Sequence, residues 1–198
     1  MVEAGDNPLQ PKAGGHNYMV AVDGSEASEL AFTIAMKGLF RPDKDIFNVC
    51  TITNQAKTDL PFQYKPDYIE EKYQSRIWKN AQAGSAKFIK KEIEEEKSTR
   101  ETLWMVAQAY QADTLVVGMH GRKGPKVDFT VAGTAVSFLA QQPVTVAILK
   151  DTNMHAIKES YRFGVLFDGS TISENALKKT ATMAAAHDTV TAITVVEQ

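Results

Sequence analysis

Two stretches of this chain carry side chains and backbone able to do chemistry. One is Asp23-Gly24-Ser25, and the other is Gly118-Met119-His120-Gly121-Arg122-Lys123-Gly124, followed further on by Gly133-Thr134-Ala135. Glycines let backbone N–H groups come close to an oxyanion. If Thr134 and Ala135 open a helix, their free N–H groups extend such an anion site, and the Thr134 hydroxyl adds a donor. Arg122 and Lys123 add positive charge. The Asp23 carboxylate has the wrong sign for a phosphate and suits hydroxyl or amino donors, as on a ribose or a base.

The elements around these stretches are of a kind that can position them. Tyr18 to Val22 is a short apolar run ended by Asp23-Gly24, which reads as a buried strand. Ser25 is placed to cap the next helix, with Glu26 and Glu29 in its first turn. Ala27, Leu30, Ala31, Ile34, Ala35 and Gly38 form that helix's apolar stripe, and Arg41-Pro42-Asp43 ends it. Asp45 to Thr53 is a second strand, so the unit is βαβ and the strands are parallel.

Helical spacing then runs from Asp67 to about Lys97 through Ile69, Tyr73, Ile77, Ala81, Gly84 and Phe88, with Glu92 to Glu96 as a solvated face. Ser98 to Glu101 has the pattern of a capping box. Trp78 and Trp104 fall on these helices and read as packing residues. "DTLVVG" from Asp113 and "PVTVAILK" from Pro143 are the remaining strands, with a short helix from Thr134 between them. Strands alternating with helices predict an open, mostly parallel α/β sheet covered on both faces. In such sheets ligands sit beyond the carboxyl ends of the strands, where the strand order reverses. Both chemical stretches are at strand ends of that kind.

The bulk numbers narrow the field. With 43% hydrophobic and 23% charged residues, the chain has the composition of a soluble globular protein with a true core. A net charge of −2 without a basic stripe argues against nucleic acid as a partner. The apolar runs are too short to span a bilayer, and the polar N-terminus lacks the apolar segment of a signal peptide. Cys50 is the single cysteine, which excludes a disulfide framework and reads as a buried strand residue. His16, His155 and His187 are scattered, so no metal site is expected. Together these features predict a reduced, cytoplasmic protein.

The first βαβ pattern then recurs. "VLFDGSTISENALKK" from Val165 repeats "VAVDGSEASELAFTI" from Val20, with Asp168 on Asp23 and Asp188 on Asp45. The division expected is a disordered lead-in over 1–16, a full domain over 17–150 and a partial β-α-β repeat over 151–198. The second copy stops after its second strand and has no glycine-rich loop of its own.

"VAVDGSEASELA", "ADTLVVGMHGRKG", "GTAVSFL" and "PVTVAILK", in this order and spacing, resemble the universal stress protein family. The resemblance runs from Tyr18 to Lys150 and again, over half the family domain, from Tyr161 to Glu197. It implies a Rossmann-like sheet of order 3-2-1-4-5, akin to the adenine nucleotide alpha hydrolases, and ATP between the first and fourth strands. Carried over by position, Asp23 would meet the ribose end and the backbone of Ile52 the adenine. Gly118, His120, Gly121, Gly133 and Thr134 would surround the phosphates, flanked by Arg122, Lys123 and Ala135. AMP or ADP could stand in for ATP, and magnesium would enter only through the phosphates. Family dimers imply a homodimer, and Asp168 and Val195 are the second-copy counterparts of Asp23 and Ile52.

Two departures bear on this. Eleven residues separate Gly121 from Gly133, where the family pattern has nine. The family's third strand also finds no place before Ser98, which would leave the Asp45–Thr53 strand as an exposed edge. No GxxxxGK[ST] loop, GxGxxG turn, GxSxG elbow or SxxK pair is present, so a binding protein in stress response or signalling is expected rather than an enzyme. The alternative is an interaction or dimerisation module of the same fold that binds no nucleotide.

Overall fold

β1 (Asn17–Ala21) is the centre around which the first unit is built, with Tyr18, Met19 and Val20 wholly inaccessible to solvent. Residues 8–57, 59–94, 96–122, 134–149 and 160–194 are described by the computed structural model. After β1 come α1 (Glu26–Ile34), whose C-terminus loosens into a π turn over Ala35–Leu39, and β2 (Ile46–Thr53). α2 (Pro66–Asn80), β3 (Ala86–Glu92), α3 (Thr99–Ala109) and β4 (Thr114–Gly118) follow, then α4 (Thr134–Leu139) and β5 (Thr145–Leu149). The strands form one five-stranded sheet of order β3-β2-β1-β4-β5, parallel throughout. The expected fold class and strand order are therefore present.

Both faces are covered, as a parallel sheet requires. On one face Met19, Cys50, Ile52, Leu115 and Val117 pack against Leu103, Val106, Val136 and Leu139 of α3 and α4. On the other, Phe32 of α1 stacks edge-on to Phe47 of β2 at 5.8 Å and lies 4.8 Å from Tyr73 of α2. Burial pushes the Cys50 thiol up to about 12, which keeps it protonated and inert at neutral pH. The caps are as the sequence predicts. Ser28 N–H donates to Ser25 Oγ, and Ser98 and Glu101 form a reciprocal capping box.

The third strand is present, which corrects the expectation of a missing edge strand and of one long helix from Asp67 to Lys97. α2 stops at Asn80, Ala81 is extended, and Gly84 turns the chain with φ of +79°. β3 then pairs with the whole length of β2, from Phe47↔Ala86 to Thr53↔Glu92. β2 is thus an interior strand and β3 the edge. The physical reason for the misreading lies in "AKFIKKE": only Ile89 is buried, and the lysines that guard an exposed edge are also good helix formers. Glu92 consequently ends a strand, and Glu94 pairs with Lys91 and Lys97 instead of lining a helix face. Trp78 is 79% exposed on α2, contrary to a packing role, while Trp104 is packed against the core.

The lead-in also departs from expectation over its described part. Lys12 N–H donates to the Lys44 carbonyl and His16 is buried, its N–H held by the Asp45 carboxylate at 2.8 Å. Arg41 in turn grips Asp45 through Nε and Nη2, both at 2.8 Å. Residues 1–7 lie outside the described residues.

The chain divides into two units, Met1–His155 and Ala156–Gln198. The second contains β6 (Arg162–Leu166), α5 (Thr171–Met183) and β7 (Thr189–Ile193), with the two strands parallel. Its strand register and several of its hydrogen bonds repeat those of β1-α1-β2. Asn17↔Ile46 corresponds to Arg162↔Thr189, and His16 N–H to Asp45 corresponds to Tyr161 N–H to Asp188. Ser25 N–H to Asp23 at 3.0 Å corresponds to Ser170 N–H to Asp168 at 2.9 Å.

Candidate functional site

The site is assembled at the carboxyl ends of β1, β2 and β4, on both sides of the point where the strand order reverses. β1 delivers the Asp23-Gly24-Ser25 turn. Gly24 is left-handed at φ +84°, and a Cβ there would collide with the Gln63 carbonyl oxygen, so glycine is required twice over. Ser25 N–H and Oγ–H both donate to Asp23 Oδ1, at 3.0 and 2.6 Å, which orients the carboxylate. Asp23 N–H donates to Ser28 Oγ at 3.2 Å, tying the turn to the first turn of α1.

β4 delivers the glycine-rich turn. Gly118 closes the strand against α1, where a Cβ would stand 2.6 Å from the Ala27 carbonyl carbon. Gly121 passes directly over the aspartate, its hypothetical Cβ 2.9 Å from Asp23 Oδ2. Arg122 N–H donates to that same oxygen at 3.0 Å, and its Nε lies 3.9 Å away. His120 is half-buried in the turn between them. The two turns thus meet, although they are separated by 99 positions in the chain.

Ile52 is 8% exposed near the end of β2 and borders a cavity shared with Thr51, Asn54, Lys57, Tyr64 and Arg122. The space beside it opens to solvent. The donor set fits a nucleoside in kind, with a carboxylate for ribose hydroxyls beside an apolar residue and hydroxyl and amide groups for a base. Thr134 and Ala135 open α4, a helix of six residues, and Ala135 is exposed. Lys123 and Gly133 lie outside the described residues, as does Val195 of the second copy. The phosphate end of the expected site therefore stands on Gly118 to Arg122 among the described residues.

No motif in the sequence marks Tyr64, Thr51, Asn54 or Lys57 as bordering the site. Tyr64 is in a single 3-10 turn, Phe62–Tyr64, between two prolines, and nothing local marks it as facing Arg122. Among the described residues, no group of three or more His, Cys, Asp or Glu could hold a metal ion. No helix among them is long and apolar enough to cross a membrane.

The sequence model of the Universal stress protein family matches residues 16–150, more than half of the chain. No curated protein sequence matches it significantly. Among solved structures, a universal stress protein in complex with cAMP is similar at 18% identity and a TM-score of 0.48, covering 67% of this chain and 94% of its own. A universal stress protein family member from Burkholderia pseudomallei is 16% identical, with a TM-score of 0.46, and covers 71% of this chain and 100% of its own. One from Arabidopsis thaliana with AMP bound is 13% identical, with a TM-score of 0.43, covering 71% and 96%.

Proposed function

The chain belongs to the universal stress protein family, and from that premise we propose that its first unit binds an adenine nucleotide. The ligand is ATP, with AMP or ADP able to take its place, and magnesium enters only with the phosphates. One observation carries the reading. Asp23 and the Gly118–Arg122 turn converge at the switch point of a parallel sheet, beside a cavity bordered by Ile52. Asp23 accepts the ribose hydroxyls, the backbone near Ile52 takes the base, and the turn from Gly118 to Arg122 faces the phosphates. The task is binding in stress response or signalling, not turnover. The protein is cytoplasmic and works as a homodimer, and residues 151–198 are a partial repeat of the same module.

A second reading has its own observation. Both Asp23 oxygens already accept hydrogen bonds from the protein. A module of this fold used only for interaction would look the same. The two readings separate cleanly on purification. Protein purified from cells and then denatured releases adenine nucleotide, identified by chromatography, on the first reading and none on the second. Added ATP at a hundred times its dissociation constant raises the melting temperature by about 5–10 °C on the first reading, and AMP by less. On the second reading neither moves it.

A further inference from the structure

The geometry points to a second anion site, in the cavity at the carboxyl end of β2, that takes a phosphate or an oxyanion of similar charge and shape. Lys57 and Arg122 line this cavity together with Thr51, Asn54, Pro66 and Thr99. None of Gly118 to Gly121 does, so the place is separate from the glycine-rich turn. Among the described residues of the lining none is an aspartate or a glutamate, in a chain that has 24 acidic residues and 22 basic ones. The carboxylates that neighbour the lining in sequence are engaged elsewhere. Asp67 pairs with Lys90 at 3.2 Å, Glu92 accepts from Gln55 Nε2 at 2.7 Å, and Glu94 pairs with Lys97 at 2.8 Å. Asp23 stands 3.9 Å from Arg122 Nε and balances part of that charge, but it does not line the cavity. Lys57 is in no ion pair among the described residues and is the uncompensated cation.

The neutral groups of the lining are donors short of acceptors. Thr51 is 2% exposed, and its hydroxyl has no hydrogen-bond partner among the described residues. A buried hydroxyl left in that state is costly unless something within the cavity bonds it. Asn54 Oδ1 already accepts Ala56 N–H at 2.9 Å, which leaves its amide Nδ2 to donate. Arg122 Nη1 reaches the Tyr64 carbonyl only at 3.5 Å, a long bond that a better acceptor would displace. Pro66 and Thr99 are the first residues of α2 and α3, so the positive ends of two helices border the same space. α2 has no side-chain cap of its own. Two cations, a buried unpaired hydroxyl, a free amide and two helix starts are what a phosphate's oxygens require.

This site stands independently of the nucleotide reading. Arg122 N–H also holds Asp23 Oδ2 at 3.0 Å, so a phosphate has two ways to arrive: free, or on a ribose hydroxyl of a nucleotide seated at Asp23.

The test is a titration of the full chain with inorganic phosphate at constant ionic strength, followed by amide NMR shifts. Saturable shifts are expected at Asn54, Lys57 and Thr99. Lys57→Met, at an exposed position, and the isosteric Thr51→Val should each weaken binding about threefold to tenfold, a charged hydrogen bond discounted for solvent exposure. Lys57→Arg should retain it. Shifts that fail to saturate, shifts confined to other residues, or wild-type affinity in both Lys57→Met and Thr51→Val overturn the site. AMP with and without a second phosphate on a ribose hydroxyl separates the two sources. A preference for the doubly phosphorylated form that Lys57→Met abolishes assigns the site to a nucleotide phosphate, and equal binding beside retained phosphate binding assigns it to a free oxyanion. If phosphate binds as described and ATP does not bind, the nucleotide reading fails and this site remains.

Discussion

Gly118 and Ala27 stand so close that a Cβ on the glycine would come within 2.6 Å of the Ala27 carbonyl carbon. The last residue of β4 is therefore a packing glycine that lets α1 lie against the strand. That contact brings the Asp23 turn and the Gly118–Arg122 turn to one place. Gly118→Ala should destabilise the protein by about 1–3 kcal/mol through overpacking against backbone, and Gly118→Val by more. Chemical denaturation of the two variants checks this. Wild-type stability in both would return Gly118 to a purely ligand-facing role.

The α1–α2 contact has a charge-linked component at Glu29. Burial works to raise this carboxyl, but hydrogen bonds and charge from Lys72 and Arg76 outweigh it and hold the group below the usual range. Lys72 Nζ is 2.7 Å away, Tyr73 Oη donates at 3.1 Å, and Arg76 Nη1 donates to the other oxygen. Because the folded-state pKa is depressed, the stabilisation is complete above the unfolded value near 4.5 and is lost as pH falls through the folded value. Glu29→Gln should cost about 1–2 kcal/mol at pH 7, a charged hydrogen bond discounted for partial exposure. The gap between variant and wild type should shrink below pH 4.5, as read by denaturation at a series of pH values. A gap independent of pH would mean that the carboxylate charge contributes nothing.

Trp78 and Trp104 should be distinguishable in solution. Trp78 is 79% exposed, whereas Trp104 packs against the α3–α4 core. Acrylamide or iodide should quench one emission component readily and the other poorly, and Trp78→Phe should remove the accessible one. Stability should change by no more than about 0.5 kcal/mol, as for an ordinary surface position. A single, uniformly protected component would place Trp78 against something in solution.

Local signals in the sequence are the most legible. Ser25 and the Ser98–Glu101 pair cap their helices as expected, because capping depends on residues three apart. The meeting of Asp23 with Gly121 and Arg122 was legible from the switch-point rule together with the family pattern. β3 is not legible, because its one buried residue, Ile89, leaves almost no apolar period for a strand to show. The Asp45 anchor for His16 leaves its signal only in the repeat, which keeps an aspartate at Asp188 that holds Tyr161 N–H in the same way at 2.7 Å. Arg122 on Tyr64 bridges 58 positions between two irregular segments, where no periodicity operates.

The central claim is that Asp23 belongs to a single adenine-nucleotide site, and calorimetric titration of the full chain with ATP tests it most directly. The account predicts one site per chain, with Asp23→Ala weakening binding about 10- to 100-fold, the range for a hydrogen bond to a charged group. Asp168→Ala, in the unit whose sequence carries no glycine-rich loop, should bind as the wild type does. Absence of binding at millimolar ATP, or equal affinity in the wild type and Asp23→Ala, would contradict the account.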